Sequence, residues 1–500
     1  MAYLLGLDAG NTMVKAVLFS IDGVELAVAE KGGSTRHPRP GHVERDLDEL
    51  WACAAAAIRG CIARAGIDPA EIAAIGCAGH GNGLYALDRD RQPLMGIQSI
   101  DVRAGGLVER WNRDGTTDRI CRLALQRPWA AQLPTLLSHI RETDPETFAR
   151  IGTAFTCKDY IAFRLTGEVA SDETDMSGAA CLKLPEGRYD DELLAAYGLE
   201  GCGGILPPVH RSSAVTGRVT ARAAADAGLA AGTPVVGGLF DVIASALGSG
   251  VVRTGAASLV AGTWSINQVF SEAPIVDKAM FMASGFAPGR FVNIESSATS
   301  AANLEWYVRE LVERGKHHDD PFGYCNARIA EVAPAADDPF FHPFLYGSRL
   351  GADFRAGFYG LAGWHSEGHL LRALFEGVLF EHRRHIEVLG RTGVTFDRAV
   401  LSGGGSRSPV WPQMFADCLG VPITVAEARE TGALGAAIGG GVGVGLFPDY
   451  ETAVAAMTRA QKEYLPVATM KSHYDRRYRT YCKLTDALRS FWADMHVRDE

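Results

Sequence analysis

Two stretches in opposite halves of the chain follow the same plan, and that recurrence constrains the fold more than any other feature. Leu4 to Phe19 is an apolar run, a turn Asp8-Ala9-Gly10-Asn11-Thr12, and a second apolar run from Val14. Ala257 to Phe270 is an apolar run, a turn holding Gly262 and Thr263, and a second run. Each reads as a β-hairpin. Pairing Gly10 with Gly262 and Asn11 with Thr263 predicts two halves that open on the same hairpin. Both turns offer backbone N–H groups beside hydroxyl or amide side chains, a donor set that can cradle phosphate. Lys15 adds positive charge close by, and Asp8 is expected to hold a hydrated Mg²⁺. One such turn is as readily an ordinary hairpin; its repetition favours phosphate.

The stretch Gly232 to Gly250 carries the strongest candidate for chemistry. Val235 and Val236 end a buried strand, Gly237 and Gly238 permit close backbone approach, and Asp241 opens an apolar helix. A carboxylate at that corner could reach a substrate hydroxyl as a general base. It could equally be a helix cap.

With 500 residues, 47% hydrophobic, and no low-complexity tract, the chain is globular with roughly two to three domains. A net charge of −10 with no basic block argues against nucleic-acid and anionic-membrane surfaces. Ten cysteines without a CxxC pair suit thiols in a reducing cytoplasm better than disulfides or zinc. The N-terminal MAYLLGLDAG has no basic region or cleavage site and reads as a strand. Thr431 to Phe447 is uncharged but carries seven glycines, and reads as a packed helix and turn.

The remaining elements supply loops. Asp46 to Arg64 is an amphipathic helix. A strand over Glu71 to Cys77 leads into Ala78-Gly-His-Gly-Asn-Gly83. After a strand at Leu84 to Leu87 and a turn through Pro93, another at Ile97 to Ile100 ends at Asp101-Val-Arg103. Polar loops after consecutive strands meet at one sheet edge, so His80, Gly81, Asn82, Asp101 and Arg103 are candidates to bind a polyol, although a histidine in a glycine loop is more often structural. Residues 104–170 read mostly as helices, with Trp129 either a wall of that site or a core residue, and Ser171 to Ser177 reads as a polar loop. Arg398 to Trp411 is a strand, a turn Gly403-Gly404-Gly405, and a helix start near Ser408, giving a nucleotide room to lie on the backbone. Neither a P-loop nor a dinucleotide GxGxxG is present, which argues against a dehydrogenase.

Together, Asp8 to Thr12, Gly237 to Asp241, Gly262-Thr263, Ala356 to Gly360 followed by His369 to Glu376, and Ser402 to Gly405 resemble the FGGY carbohydrate kinases of the actin/hexokinase-like superfamily, over nearly the whole chain. Gly237 to Val242, Ser300 to Trp306 and Pro343 to Ser348 are most similar to the L-xylulose kinases of that family. The resemblance implies an α/β chain of two ribonuclease-H-like domains flanking a catalytic cleft. Residues 1–246 would hold the sugar site and base, and residues 247–500 the nucleotide site. It implies Asp241 as the base and ATP contacts from Gly10, Asn11, Thr12, Lys15, Gly262, Thr263, Gly404, Gly405 and Ser408. Sugar contacts would come from His80, Gly81, Asn82, Asp101, Arg103 and Asp241, and Mg²⁺ would be held through water by Asp8 and Asp241.

The implied reaction is ATP-dependent phosphorylation of a terminal hydroxyl of a ketopentose, L-xylulose first. Sister kinases of erythritol, D-xylulose, ribulose or glycerol, and a non-catalytic sugar- or nucleotide-binding regulator, are the alternatives. The expected partner is a small sugar or polyol, with no nucleic acid and no membrane; a homodimer stays open. Lys15 stands where relatives carry Arg, Ser408 where glycerol kinases carry Asn, and Gly79-His-Gly-Asn-Gly83 where D-xylulose kinases carry Gly-Gln-Met-His-Gly. The last difference bears on the sugar.

Overall fold

A computed structural model describes residues 2–274, 281–351, 354–391 and 393–495. The chain forms two compact units, each discontinuous in sequence. Unit 1 comprises residues 1–253, 270–293 and 428–459; unit 2 comprises residues 254–269, 294–427 and 460–500.

Unit 1 is built on the first hairpin. β1 (Tyr3–Ala9) pairs antiparallel with β2 (Met13–Ser20), in a register that sets Asp8 opposite Lys15. β2 pairs antiparallel with β3 (Glu25–Gly32). On its other side β1 runs parallel to β4 (Ile72–Gly79), ending with Ala9 beside Gly79. The sheet continues through Pro234–Val236, parallel to β4, and Val215–Arg218, antiparallel to it. Central strands covered on both faces need continuous apolar runs, and β1, β2 and β4 have them.

One face is covered by the helix Leu47–Ala65, whose Asp46 cap accepts from Glu49 N–H and which buries Leu47, Leu50, Trp51, Ala54, Ile58 and Ile62. The other meets the helix Thr431–Gly443, so close that a Cβ at Gly6 would lie 1.9 Å from the Ala433 carbonyl oxygen. The glycine run read as a packed helix is therefore a backbone-to-backbone crossing.

A three-stranded sheet, in the order Pro93–Ile97, Leu84–Asp88, Ile151–Phe155, sits over a second apolar core in unit 1. The strand expected at Ile97 to Ile100 thus starts and ends earlier, sharing only Ile97 with the observed one. Proline tolerates a first strand position because it has no N–H to offer the ladder. Ser171 to Ser177, expected as a loop, is a short strand (Ser171–Asp172) and the start of a buried helix (Glu173–Gly178).

In unit 2 the plan recurs. Gly255–Ala261 pairs antiparallel with the strand starting at Ser265, Ala261 opposite Ser265, and parallel with Phe396–Ser402. Ile423–Ala426 follows in parallel and Ala460–Tyr464 closes the edge in antiparallel. A hairpin, two parallel strands and an antiparallel edge is also the order found in unit 1, as the repeated hairpins predict. The long helix Glu367–Gly390 buries two imidazoles. His382 Nδ1 is 2.8 Å from Asn267 Oδ1, and His385 lies 2.9 Å from Asn267 Nδ2 and 3.1 Å from Ser297 Oγ.

Candidate active site

After Pro234–Val236 the chain turns through Gly237 and Gly238, runs beside the end of β4 (Leu239 next to Ala78, Phe240 next to Gly79), and enters the helix Asp241–Gly248. Phe240 occupies the N-cap position, so Asp241 is the first helical residue rather than the cap. Its side chain is half-buried. Burial first, then the charges of Asp8 and Asp175, hold its pKa well above the usual carboxylate range.

The turn before it is tied down. Gly237 N–H donates to Ala214 O at 2.9 Å, Gly238 N–H to Ser212 O at 2.9 Å, and Phe240 N–H to Thr174 Oγ1 at 2.9 Å. Beneath lies a fully buried ion cluster. Lys158 Nζ is 2.5 Å from Asp159 Oδ1, 2.8 Å from Asp172 Oδ1 and 3.5 Å from Asp175 Oδ2, and donates to Gly237 O at 3.2 Å. Burial, opposed by Lys158, pushes Asp175 up to about 8.

Asp8 is the last residue but one of β1, and burial pushes it up to about 6, with Lys15 pulling down and Glu430 pushing up. Lys15, expected to reach phosphate, is paired here with Glu430, its Nζ 2.9 and 3.1 Å from the two carboxylate oxygens. The Gly10 to Thr12 turn is braced by residues absent from the sequence-derived set. Arg45 Nη1 donates to Gly10 O at 3.2 Å, Asn11 Nδ2 donates to Ser99 Oγ at 3.0 Å, and Gln98 Nε2 donates to Asn11 O. Thr12 is exposed.

The sugar-loop candidates gather close to this corner. A Cβ at Gly81 would lie 2.4 Å from the Phe240 ring, Gly83 N–H donates to Ala131 O at 2.8 Å, and Leu84 pairs with Ile97. The two loops meet because they occupy the same end of an antiparallel hairpin, not because their strands are neighbours in the large sheet. His80 Nε2 sits 2.8 Å from the Tyr85 hydroxyl; burial, then the Arg45 charge, pushes its pKa down to about 3, so the ring is neutral. Among the described residues, the buried atoms His80 Nδ1, Asn82 Oδ1, Gln98 Oε1 and Trp129 Nε1 have no hydrogen-bond partner. Buried polar groups are ordinarily satisfied, so such a set calls for a hydroxylated ligand.

Asp101 and Arg103 behave differently. Both Asp101 oxygens accept from Arg103 Nε at 3.0 Å, one also accepts from Val43 N–H at 2.6 Å, and Arg103 Nη2 bridges on to Glu44 at 2.7 Å. This pair braces the loop with its charges already matched.

In unit 2, Gly262 and Thr263 form the hairpin turn, with Gly262 O accepting from Ala301 N–H at 2.8 Å. The Gly403 to Gly405 turn is packed against it, since a Cβ at Gly405 would lie 2.8 Å from Ala261 Cβ. Gly404 is exposed. Ser408 Oγ accepts from Val410 and Trp411 N–H at 3.1 Å each and donates to Asn326 Oδ1 at 2.7 Å, which fixes the chain where it enters the helix Trp411–Leu419.

Known proteins supply a comparison. Residues 3–248 match the N-terminal domain model, and residues 257–444 the C-terminal domain model, of the FGGY family of carbohydrate kinases. The L-xylulose/3-keto-L-gulonate kinase of Escherichia coli K12 is 35% identical over 494 residues, covering 98% of each chain. The crystal structure of xylulose kinase from Rhodospirillum rubrum superposes with a TM-score of 0.88 at 29% identity, over 98% of this chain and 100% of that one.

Proposed function

The chain belongs to the FGGY family of carbohydrate kinases, and on that footing we propose that it transfers the γ-phosphoryl group of ATP to the C5 hydroxyl of a ketopentose, L-xylulose. The observation that carries this is the half-buried Asp241 at its strand-to-helix corner, close to a loop whose buried polar atoms await a polyol. The choice of L-xylulose rests on the similarity to the Escherichia coli enzyme of that name.

The transfer asks the protein chiefly for positioning and charge neutralisation. His80, Gly81 and Asn82 orient the sugar, with Asp101 and Arg103 bracing their loop. Asp241 accepts the hydroxyl proton as that oxygen bonds to the γ-phosphorus in line and the bond to the ADP oxygen breaks. Burial raises its proton affinity above that of an ordinary carboxylate, which strengthens it as a base. In unit 1, Gly10, Asn11, Thr12 and Lys15 are assigned to phosphate, Lys15 exchanging Glu430 for it. In unit 2, Gly262, Thr263, Gly404, Gly405 and Ser408 are assigned to the nucleotide.

A divalent ion fits Asp8 and Asp241. Both offer hard oxygen donors, and burial first, then a nearby carboxylate (Glu430 for Asp8, Asp8 for Asp241), raises the pKa of each, a cost that a cation relieves. Mg²⁺ keeps most of its waters and needs only one or two carboxylates. When bound it would neutralise phosphate oxygens.

The test is ADP release by the purified protein with ATP, Mg²⁺ and a panel of L-xylulose, 3-keto-L-gulonate, D-xylulose, L-ribulose, erythritol and glycerol. L-xylulose is expected to give the highest kcat/KM, and Asp241→Ala to lose about 10²–10⁴-fold in kcat. Near-native turnover in that variant refutes the base, and silence across the panel refutes the substrate class.

A further inference from the structure

We infer that Thr174, backed by Asp172 and Lys158, is a positioning residue for the base, acting through the backbone that delivers Asp241; this rests on Asp241 being that base. The Thr174 hydroxyl uses both of its hydrogen-bonding roles. Its oxygen accepts from Phe240 N–H at 2.9 Å, and its proton goes to Asp172 Oδ2 at 2.5 Å. Asp172 Oδ1 is held by Lys158 Nζ at 2.8 Å, and the same ammonium donates to the Gly237 carbonyl at 3.2 Å.

Both ends of the segment 237–240 are thus tied to one cluster, and Asp241 is the next residue. The Lys158 and Asp172 side chains have no solvent exposure and Thr174 is fully buried, so water does not compete for these bonds. Gly238, inside the tied segment, has φ +85°, and a Cβ there would lie 2.3 Å from the Cys77 carbonyl oxygen and 3.2 Å from Lys158 Cδ. The lysine stem is therefore the floor of the turn as well as its tether.

An ion cluster is an uneconomical way to fill a core, because apolar side chains of similar volume often hold a fold as well or better. What the cluster gives that apolar packing cannot is direction: a hydroxyl aimed at one N–H and an ammonium aimed at one carbonyl. A base displaced by about 1 Å can lose about 10²-fold in rate while substrates still bind. Thr174 is thereby assigned to the chemical step rather than to substrate affinity.

Steady-state kinetics of wild type, Asp241→Ala, Thr174→Val and Thr174→Ser, with the sugar that responds best in the panel above, test this. Thr174→Val keeps the shape and loses the hydroxyl. Its kcat is expected to fall about 10- to 100-fold with KM for both substrates within about twofold, and Thr174→Ser to recover kcat to within about threefold of wild type. An undiminished kcat in Thr174→Val, a KM rise matching the kcat loss, or a serine variant as damaged as the valine overturns the inference. The normal Asp241→Ala loss beside an intact Thr174→Val sinks this inference alone, whereas near-native Asp241→Ala sinks the base and the inference together. Should Thr174→Val not fold, amide exchange of the wild-type protein decides: Phe240 N–H is expected to be protected about 100-fold or more, and an unprotected amide refutes its bond to Thr174.

Discussion

Gly435→Ala places one methyl group where two helices of unit 1 cross. A Cβ there would lie 1.9 Å from the Ala244 carbonyl oxygen, 2.5 Å from its carbon and 2.7 Å from its Cα, all backbone atoms of the helix that Asp241 begins. The closest comfortable carbon-to-oxygen approach is about 3.3 Å, so the two backbones must part by about 1.4 Å at that point. Overpacking of this kind costs about 1–3 kcal/mol. The upper end applies, because no rotamer can clear a carbonyl from the path. The push lands one turn from Asp241, where displacement of the base by about 1 Å costs about 10²-fold in kcat.

Gly439→Ala is the control. It lies on the same helix, and the nearest atoms its Cβ would meet are side-chain ones at ordinary contact distance, the Tyr450 hydroxyl at 3.4 Å, Leu239 Cδ1 at 3.7 Å and Tyr450 Cε1 at 3.9 Å. Urea unfolding and ADP release are measured on both variants. Gly439→Ala is expected to match wild type or gain slightly from helix propensity, and Gly435→Ala to lose both stability and turnover. Equal behaviour of the two would refute the crossing geometry.

Lys158→Met leaves Asp159, Asp172 and Asp175 buried without their cation, and a loss of about 3–5 kcal/mol in urea unfolding is expected; a loss under about 1 kcal/mol would mean the cluster is already neutral. In unit 2, burial pushes His342 and His382 down to about 3, and holds His385 well below the ordinary imidazole range. The unfolded chain takes up these protons below about 6.5 and the folded chain does not, so stability falls as pH drops from there towards 3, by about 1.4 kcal/mol per pH unit per histidine. His382→Gln is expected to make that slope shallower by one proton, and an unchanged slope would count against a buried neutral imidazole.

Much of this was legible from the chain alone where local chemistry and tertiary structure agree. Both hairpins, the Gly237 to Asp241 corner and the strand-turn-helix around Gly404 carry apolar runs broken by glycine, which mean the same thing in isolation as in the fold. Ser171 to Ser177 misled because polarity marks a loop only when nothing inside the protein answers it. Here Lys158 does, and lysine itself reads as a surface residue. Asp101 and Arg103 read as two ligand contacts, and the pairing between them, two residues apart at a turn, is a contact that no hydropathy pattern announces. The Lys15 partner Glu430 lies in the opposite half of the sequence, beyond the reach of any local pattern.

Unit 1 draws its last helices from residues 428–459, after the chain has left it twice. On the ribosome, β1 and β4 emerge long before Thr431–Gly443 exists to cover their open face. At about 5–20 residues per second, the stretch from Arg253 to the far end of that helix takes about ten to forty seconds to synthesise. For that interval a nascent apolar surface waits unclothed, a natural client for a holding chaperone, and a gene cut after the first half would leave it so permanently.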